Sequence, residues 1–386
     1  MYINRDYVPR RKRKGFFERF WWLFLLLALG IFFYETRPQW AFTTPIIPTP
    51  TPTPAAIIFL TDGDNLVKQG KFDEAITAYK EAAFLEPTNA KPLIELSKLS
   101  LLIDGLRNPQ TAYDYALKAQ KLEPKNPAVL TTLARALDWV GQLQDAADTG
   151  LDSLDIAPDN ADTLAVLGEI YIDVGNREIG QDYIDKALAI DPQNVMALRN
   201  QAFLYERAGD YDASIAAYDK AIAVAPYRFD LYIEKARQLS TGLGEFGLAN
   251  DELKKAVEIY KAPVTLNAYG YGLYLAGDHP QAVRTLRDAV EIDPNYGPAQ
   301  VNLGMALAAR LNFEDAVIAL EKGLELEGVD KARLENLDVL AQSLLIQETP
   351  DCARAAYWFQ EALKKDETDA TAINGLQRAQ TCETGG

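Results

Sequence analysis

A single histidine and two cysteines in 386 residues leave little from which to build metal or thiol chemistry. Zinc sites draw on several Cys or His ligands at short spacing, and the sequence has neither clustered ligands nor a CxxC. His279 stands in the turn GDHPQ between Asp278 and Pro280, with no nucleophile at a recognisable spacing, and reads as a solvated loop residue. Carboxylates abound, but at exposed helical positions they serve solvation and helix N-terminal charge rather than paired acid–base work. No catalytic residue, metal ligand or cofactor site is therefore assigned, and the chain is not read as an enzyme. Basic charge is also scarce outside the first 50 residues. Those hold eight Lys/Arg and three Asp/Glu, leaving 31 against 52 for the rest. A body so acidic would repel a phosphate polymer, which excludes nucleic acid as its partner.

What is present begins with five basic residues, Arg10 to Lys14, followed by an apolar run from Phe20 to Tyr34 that Phe16 and Phe17 extend. The run predicts a single transmembrane helix over residues 16–34, short but workable if Arg19 snorkels, with Trp21, Trp22, Tyr34 and Trp40 as interfacial aromatics. Seven Lys/Arg precede the run and only Arg37 follows closely. By the positive-inside rule the basic tail, residues 1–15, lies in the cytoplasm and everything downstream lies outside it, at the cytoplasmic membrane. A cleaved signal peptide shares the basic-then-apolar pattern, although no A-x-A-like site directly follows the run. The linker, residues 35–55, contains TTPIIPTPTPTP at 43–54. Alternating prolines fix φ and remove backbone donors, which favours a polyproline II rod of roughly 37 Å. It reads as a spacer, with a proline-rich ligand as the alternative.

From residue 56 the chain repeats about every 34 residues. Pro124, Pro158, Pro192 and Pro226 are evenly spaced by 34, and Pro87 and Pro294 continue the set. Five residues before these prolines stand Ala82, Ala119, Ser153, Ala187, Ala221 and Ala289. Gly63, Ala134, Gly168, Ala202 and Gly270 recur further upstream, and Gly70, Gly141, Gly175, Gly209 and Gly277 divide each unit into halves. Antiparallel helices approach to about 8 Å only where the contact points carry almost no side chain. The dividing Gly supplies the positive φ that ends one helix, and the proline closes the next. Leu130, Leu133, Leu137 and Tyr205 are expected to fill the space around these contacts.

The unit VMALRNQAFLYERAGDYDASIAAYDKAIAVAPYR, residues 195–228, resembles the tetratricopeptide repeat (TPR) consensus. Nine units begin at residues 56, 90, 127, 161, 195, 229, 263, 297 and 331, giving an array over 56–369. Residues 370–386 read as a capping helix and tail. The sixth unit has Ala249 and Ala256 displaced by one, and the sixth and eighth lack the proline. The resemblance implies an all-α fold: a right-handed superhelical solenoid of about nine helix-turn-helix repeats plus a capping helix.

It also implies function. Family members bind protein or peptide segments in a concave groove lined by first helices. Carried onto this sequence, the groove candidates are Arg199, Asn200, Phe203, Arg237, Asn267, Tyr271, Tyr274, Asn302, Met305 and Asn336, whose amides suit a peptide backbone and whose aromatics and Met suit adaptable apolar contact. Asn at that position is also a common consensus residue. The Lys/Asn/Arg clamp used by some members for a C-terminal carboxylate is not evident. The expectation is a membrane-anchored adaptor with no small-molecule substrate. The competing readings are an assembly factor acting through oligomerisation, its oligomeric state open, and the non-catalytic arm of an enzyme system. Cys352 begins the second helix of the ninth unit and Cys382 ends the capping helix, so antiparallel packing brings them together as a disulfide, unless they are two unrelated thiols.

Overall fold

The computed structural model describes residues 15–36, 55–104 and 108–383. The basic tail and nearly all of the Thr/Pro linker lie outside the described residues, as do residues 105–107 and 384–386. The chain divides into two compact units, residues 1–54 and 55–386.

The first unit contains one described helix, α1 (Phe16–Thr36). Among the described residues no helix is long and apolar enough to cross a membrane. The expected transmembrane helix over 16–34 is therefore not supported by the structure.

The second unit is helical throughout its described residues. Its first four pairs are α2 (Ala56–Lys68) with α3 (Phe72–Leu85), α4 (Lys91–Asp104) with α5 (Pro109–Leu122), α6 (Pro127–Trp139) with α7 (Leu143–Ile156), and α8 (Ala161–Asp173) with α9 (Arg177–Ile190). Then come α10 (Val195–Ala208) with α11 (Tyr211–Val224), α12 (Phe229–Arg237) with α13 (Phe246–Ile259), and α14 (Pro263–Leu275) with α15 (His279–Ile292). The last pairs are α16 (Gly297–Ala309) with α17 (Phe313–Glu327) and α18 (Leu334–Ile346) with α19 (Cys352–Lys365), closed by α20 (Ala370–Glu383).

The sequence starts these helices by side-chain capping. Asn126, Asn160 and Asn194, each 34 residues from the next, accept from backbone N–H groups at 2.9–3.2 Å and so satisfy donors that the helix itself leaves orphaned. Within a pair the helices nest at a small residue. A Cβ on Gly168 would sit 2.5 Å from Ile184 Cγ1 and 3.2 Å from the Gly180 carbonyl, so a side chain there would force α8 from α9. Leu130, Leu133 and Leu137 are buried around such contacts, whereas Tyr205 is exposed. The turn between halves holds Gly at positive φ in most units, but the eighth places Leu311 there at φ 62°.

Two irregular units have local causes. In the sixth, a π-helical turn at Gln238–Gly242 continues α12, with Leu243 N donating to Gln238 O at 3.2 Å. This turn absorbs the one extra residue that displaces Ala249 and Ala256, and both alanines remain buried. In the ninth, a short 3₁₀ turn at Val329–Lys331 follows Gly328 and moves the first helix to Leu334. At the end of the array Cys352 and Cys382 are bonded, with Cα atoms 5.9 Å apart across a separation of 30 residues. Replacing Cys352 by Ser is expected to destabilise α19–α20 by about 3 kcal/mol on the chain-entropy model. Amide exchange over residues 370–383 should rise well above that of α16–α17, and unchanged exchange there would disprove a stabilising role.

The array also makes a contact that its linear repeat pattern does not imply. Phe72 of α3 is fully buried against Phe229 of α12 and Tyr260, with ring centroids 5.5 and 5.1 Å away. Tyr260 also donates its hydroxyl to Asp73, 187 residues earlier, at 3.2 Å. The first pair thus packs on the sixth, and the concave face of the units between becomes the wall of a partly open space.

Candidate functional site

That space is a cavity of about 860 Å³, walled among others by Leu99, Trp139, Arg199, Tyr227, Arg237 and Tyr296. Its volume lies within the range of sites that enclose small ligands or short peptide stretches. Along its wall runs a ladder of alternating charge, one residue from each successive first helix. Arg135 on α6 donates to Glu169 on α8 at 3.0 Å. Arg199 on α10 donates to the other oxygen of Glu169 at 3.1 Å, and to Glu234 on α12 at 2.6 and 3.0 Å. Beyond it Arg237 pairs with Glu206 at 2.7 Å, and Arg228 with Asp230 at 2.5 Å. The four ladder side chains are 10–20% exposed, so these are largely desolvated pairs that hold the first helices in register.

The electrostatics follow from this placement. Burial pushes Glu169 up, but Arg135 and Arg199 on either side outweigh it and hold the carboxyl below its usual range. Asp138, one turn from Arg135 on α6, is compensated by that guanidinium only in part. Burial pushes it up to about 8, with the charges of Glu169 and Asp173 adding to the effect. The folded state therefore holds a proton on Asp138 that the unfolded chain has already released. Stability from this group is complete below about pH 4 and is lost as pH rises through about 8. Asp138→Asn, neutral at every pH, is expected to match the parent near pH 4 and exceed it by about 1–3 kcal/mol at pH 9, read from urea midpoints. A difference independent of pH would rule this out.

The expected groove residues divide into separate places. Arg199 and Arg237 reach the large cavity, both already paired with carboxylates. Arg199, Asn200 and Phe203 line a smaller cavity beside it. Asn200 is 3% exposed and donates to the Ala165 carbonyl at 3.0 Å, so its amide joins α10 to α8 and is not offered to a ligand. Asn302 donates to Asn267 at 2.9 Å in the same manner further along. Tyr271 and Tyr274 stack at 6.1 Å, and Arg333 donates to the Tyr271 hydroxyl at 3.0 Å. Met305 and Asn336 are buried at 2% and 5% exposure, Met305 within the apolar core that includes Val317 and Leu337.

The residues that sequence reading missed are Arg135, Asp138, Glu169, Asp173 and Glu234. Their signal was present, since Arg135 and Glu169 stand 34 apart with opposite sign, as Arg199 and Glu234 stand 35 apart. Among the described residues no group of three or more His, Cys, Asp or Glu is placed to hold a metal ion.

The tetratricopeptide repeat family model matches residues 166–230. Over 84 residues the chain is 31% identical to Small glutamine-rich tetratricopeptide repeat-containing protein 2 of Mycosarcoma maydis. That match covers 22% of this chain and 24% of the relative, so it spans about a quarter of the relative's length. The fold is similar to that in the crystal structure of the APC/C hetero-tetramer Cut9–Hcn1, with a TM-score of 0.57 and 19% identity over 84% of this chain and 76% of that one. It is similar as well to the human IFIT1 dimer with PPP-AAAA, at TM-score 0.56 and 17% identity over 84% and 85% of the two chains. At these identities the structural likeness is one of fold. The family model matches within α8–α12, and the second unit, over its described residues, folds as an all-helical TPR-like solenoid.

Proposed function

We propose that the chain is a protein-interaction scaffold that holds an extended segment of a partner in the cavity on its concave face. TPR proteins mediate protein–protein interactions, and the observation that supports this use here is the preformed cavity of about 860 Å³. Its wall mixes apolar side chains such as Leu99 and Val166 with amides and paired charges such as Asn160 and Arg199, the combination a peptide requires. The ladder fixes that wall before binding, so little ordering cost falls on association. Membrane attachment through α1, with the array outside the cytoplasm, belongs to the same proposal. Its support is the exposed apolar surface of α1, where Trp21, Leu26 and Leu27 are 58–65% exposed.

A photo-crosslinking side chain in place of Trp139, within the cavity, should capture a defined partner segment in cells. The same group in place of Ile318, exposed on α17, should not. Adducts at position 318 without any at 139 would refute the cavity as the binding surface. A reporter fused after Gly386 tests the placement, and activity in the cytoplasm would end the envelope reading.

A further inference from the structure

The smaller cavity, about 340 Å³, lies against α6, α8 and α10 and is walled by Asp138, Trp139, Glu169, Asp173, Arg199 and Phe203. Its charges do not balance. Arg135 and Arg199 are both committed to Glu169 and Glu234 through contacts of 2.6–3.1 Å. Asp138 and Asp173 share a hydrogen bond, two carboxyl groups whose burial and mutual charge the neighbouring Arg135 and Arg199 offset only in part. Asp138 is 6% exposed, and its Oδ1 is buried without a hydrogen-bond partner. A desolvated acceptor of this kind is normally satisfied in a folded protein, because leaving it unpaired is unfavourable.

The remaining walls favour one kind of donor. Trp139 and Phe203 present aromatic side chains to the space, and the negative π-faces of such rings attract cations, most strongly where water is excluded. An anion would meet two carboxyl groups. A neutral apolar group would leave Asp138 unsatisfied. The described residues place no three carboxylates together for a metal ion, which leaves an organic cation, whose alkyl part the rings also cover.

We propose that this cavity receives the ammonium or guanidinium group of a basic side chain carried by the segment held in the concave cavity. The proposal rests on the scaffold reading above, and it adds the chemistry that selects the partner: a Lys or Arg anchor in place of the C-terminal carboxylate that a basic clamp would take. Trp139 walls both cavities, so a segment lying in the larger one has the smaller one within reach of a long side chain. Asp138 accepts from the cation, Asp173 adds charge at the mouth, and the two rings enclose the methylenes.

The test uses the full chain in detergent micelles, labelled with fluorotryptophan, with the Trp139 resonance identified by its loss in Trp139→Phe. Titration with n-butylammonium chloride should shift that resonance saturably, while n-butanol and equal concentrations of sodium chloride should not. The double variant Asp138→Asn with Asp173→Asn should weaken the ammonium response by at least about tenfold. Its Trp358 resonance and helical circular dichroism should be unchanged, which separates loss of the site from loss of the fold. No saturable shift, an equal shift with n-butanol, or a response the double variant leaves intact would each overturn the proposal. Crosslinking at position 139 without ammonium binding would remove this pocket and leave the scaffold standing. Ammonium binding without crosslinking would do the reverse.

Discussion

Replacing Phe72 by Ala is expected to loosen two stretches of the chain nearly 190 residues apart. Phe72 is 0% exposed and packs edge-on against both Phe229 and Tyr260, which themselves lie 5.2 Å apart. Truncating a buried aromatic of this kind costs about 3–5 kcal/mol, because the lost transfer energy is joined by a cavity that rigid helices fill poorly. In an open solenoid each pair touches only its neighbours, so damage in α3 would stay in α2–α5. Here the same cluster bridges the first and sixth pairs. Amide exchange should therefore rise both at residues 56–86 and at residues 229–260, with α16–α17 unaffected. If exchange rises only around residues 56–104, the contact between the two pairs contributes no stability, and the cavity it helps to enclose is open in solution.

The second large effect is expected at Arg199. Its guanidinium bridges Glu169 and Glu234, and Arg135 bonds the other oxygen of Glu169. Arg199→Ala leaves Glu234 without that partner and Glu169 with one cation in place of two. Breaking a buried pair from one side typically costs 3–5 kcal/mol, and with side chains up to 20% exposed about 3 kcal/mol is expected here. The loss should respond weakly to salt, since pairs removed from solvent are poorly screened. Adding Glu234→Gln to Arg199→Ala should recover part of it, because the amide no longer buries a charge. A cost within about 0.5 kcal/mol of zero would show that the ladder is solvated and sets no register.

These two sites also show where sequence reading ends. The repeat was legible because it is enforced locally. Pro124, Pro158, Pro192 and Pro226 close second helices, Asn126, Asn160 and Asn194 cap first helices, and Gly168 must be small whatever the rest of the chain does. Even the displaced Ala249 and Ala256 signalled the inserted residue that the π turn takes up. Groove membership was less legible, because a position in the consensus fixes the direction of a side chain and not what it meets. Met305 and Asn200 occupy groove positions yet are buried, Asn200 bonded to the Ala165 carbonyl and Met305 packed with Val317 and Leu337. Arg199 reads from the sequence as a ligand contact, and its pairing with Glu169 and Glu234 is not legible there, because pairing between residues 30–35 apart on neighbouring helices depends on how closely those helices approach.

The sequence by itself determined the helical pairs, their period and the irregular sixth unit, since each follows from backbone preferences and steric limits acting within one repeat. Only the tertiary structure decided that Phe72 meets Phe229 and Tyr260, and that a row of paired charges walls the partly open cavity. The physical reason is accumulation. A small rotation between neighbouring pairs, set by side-chain volumes at each interface, adds up over five steps before the chain meets itself, and no single repeat encodes that sum.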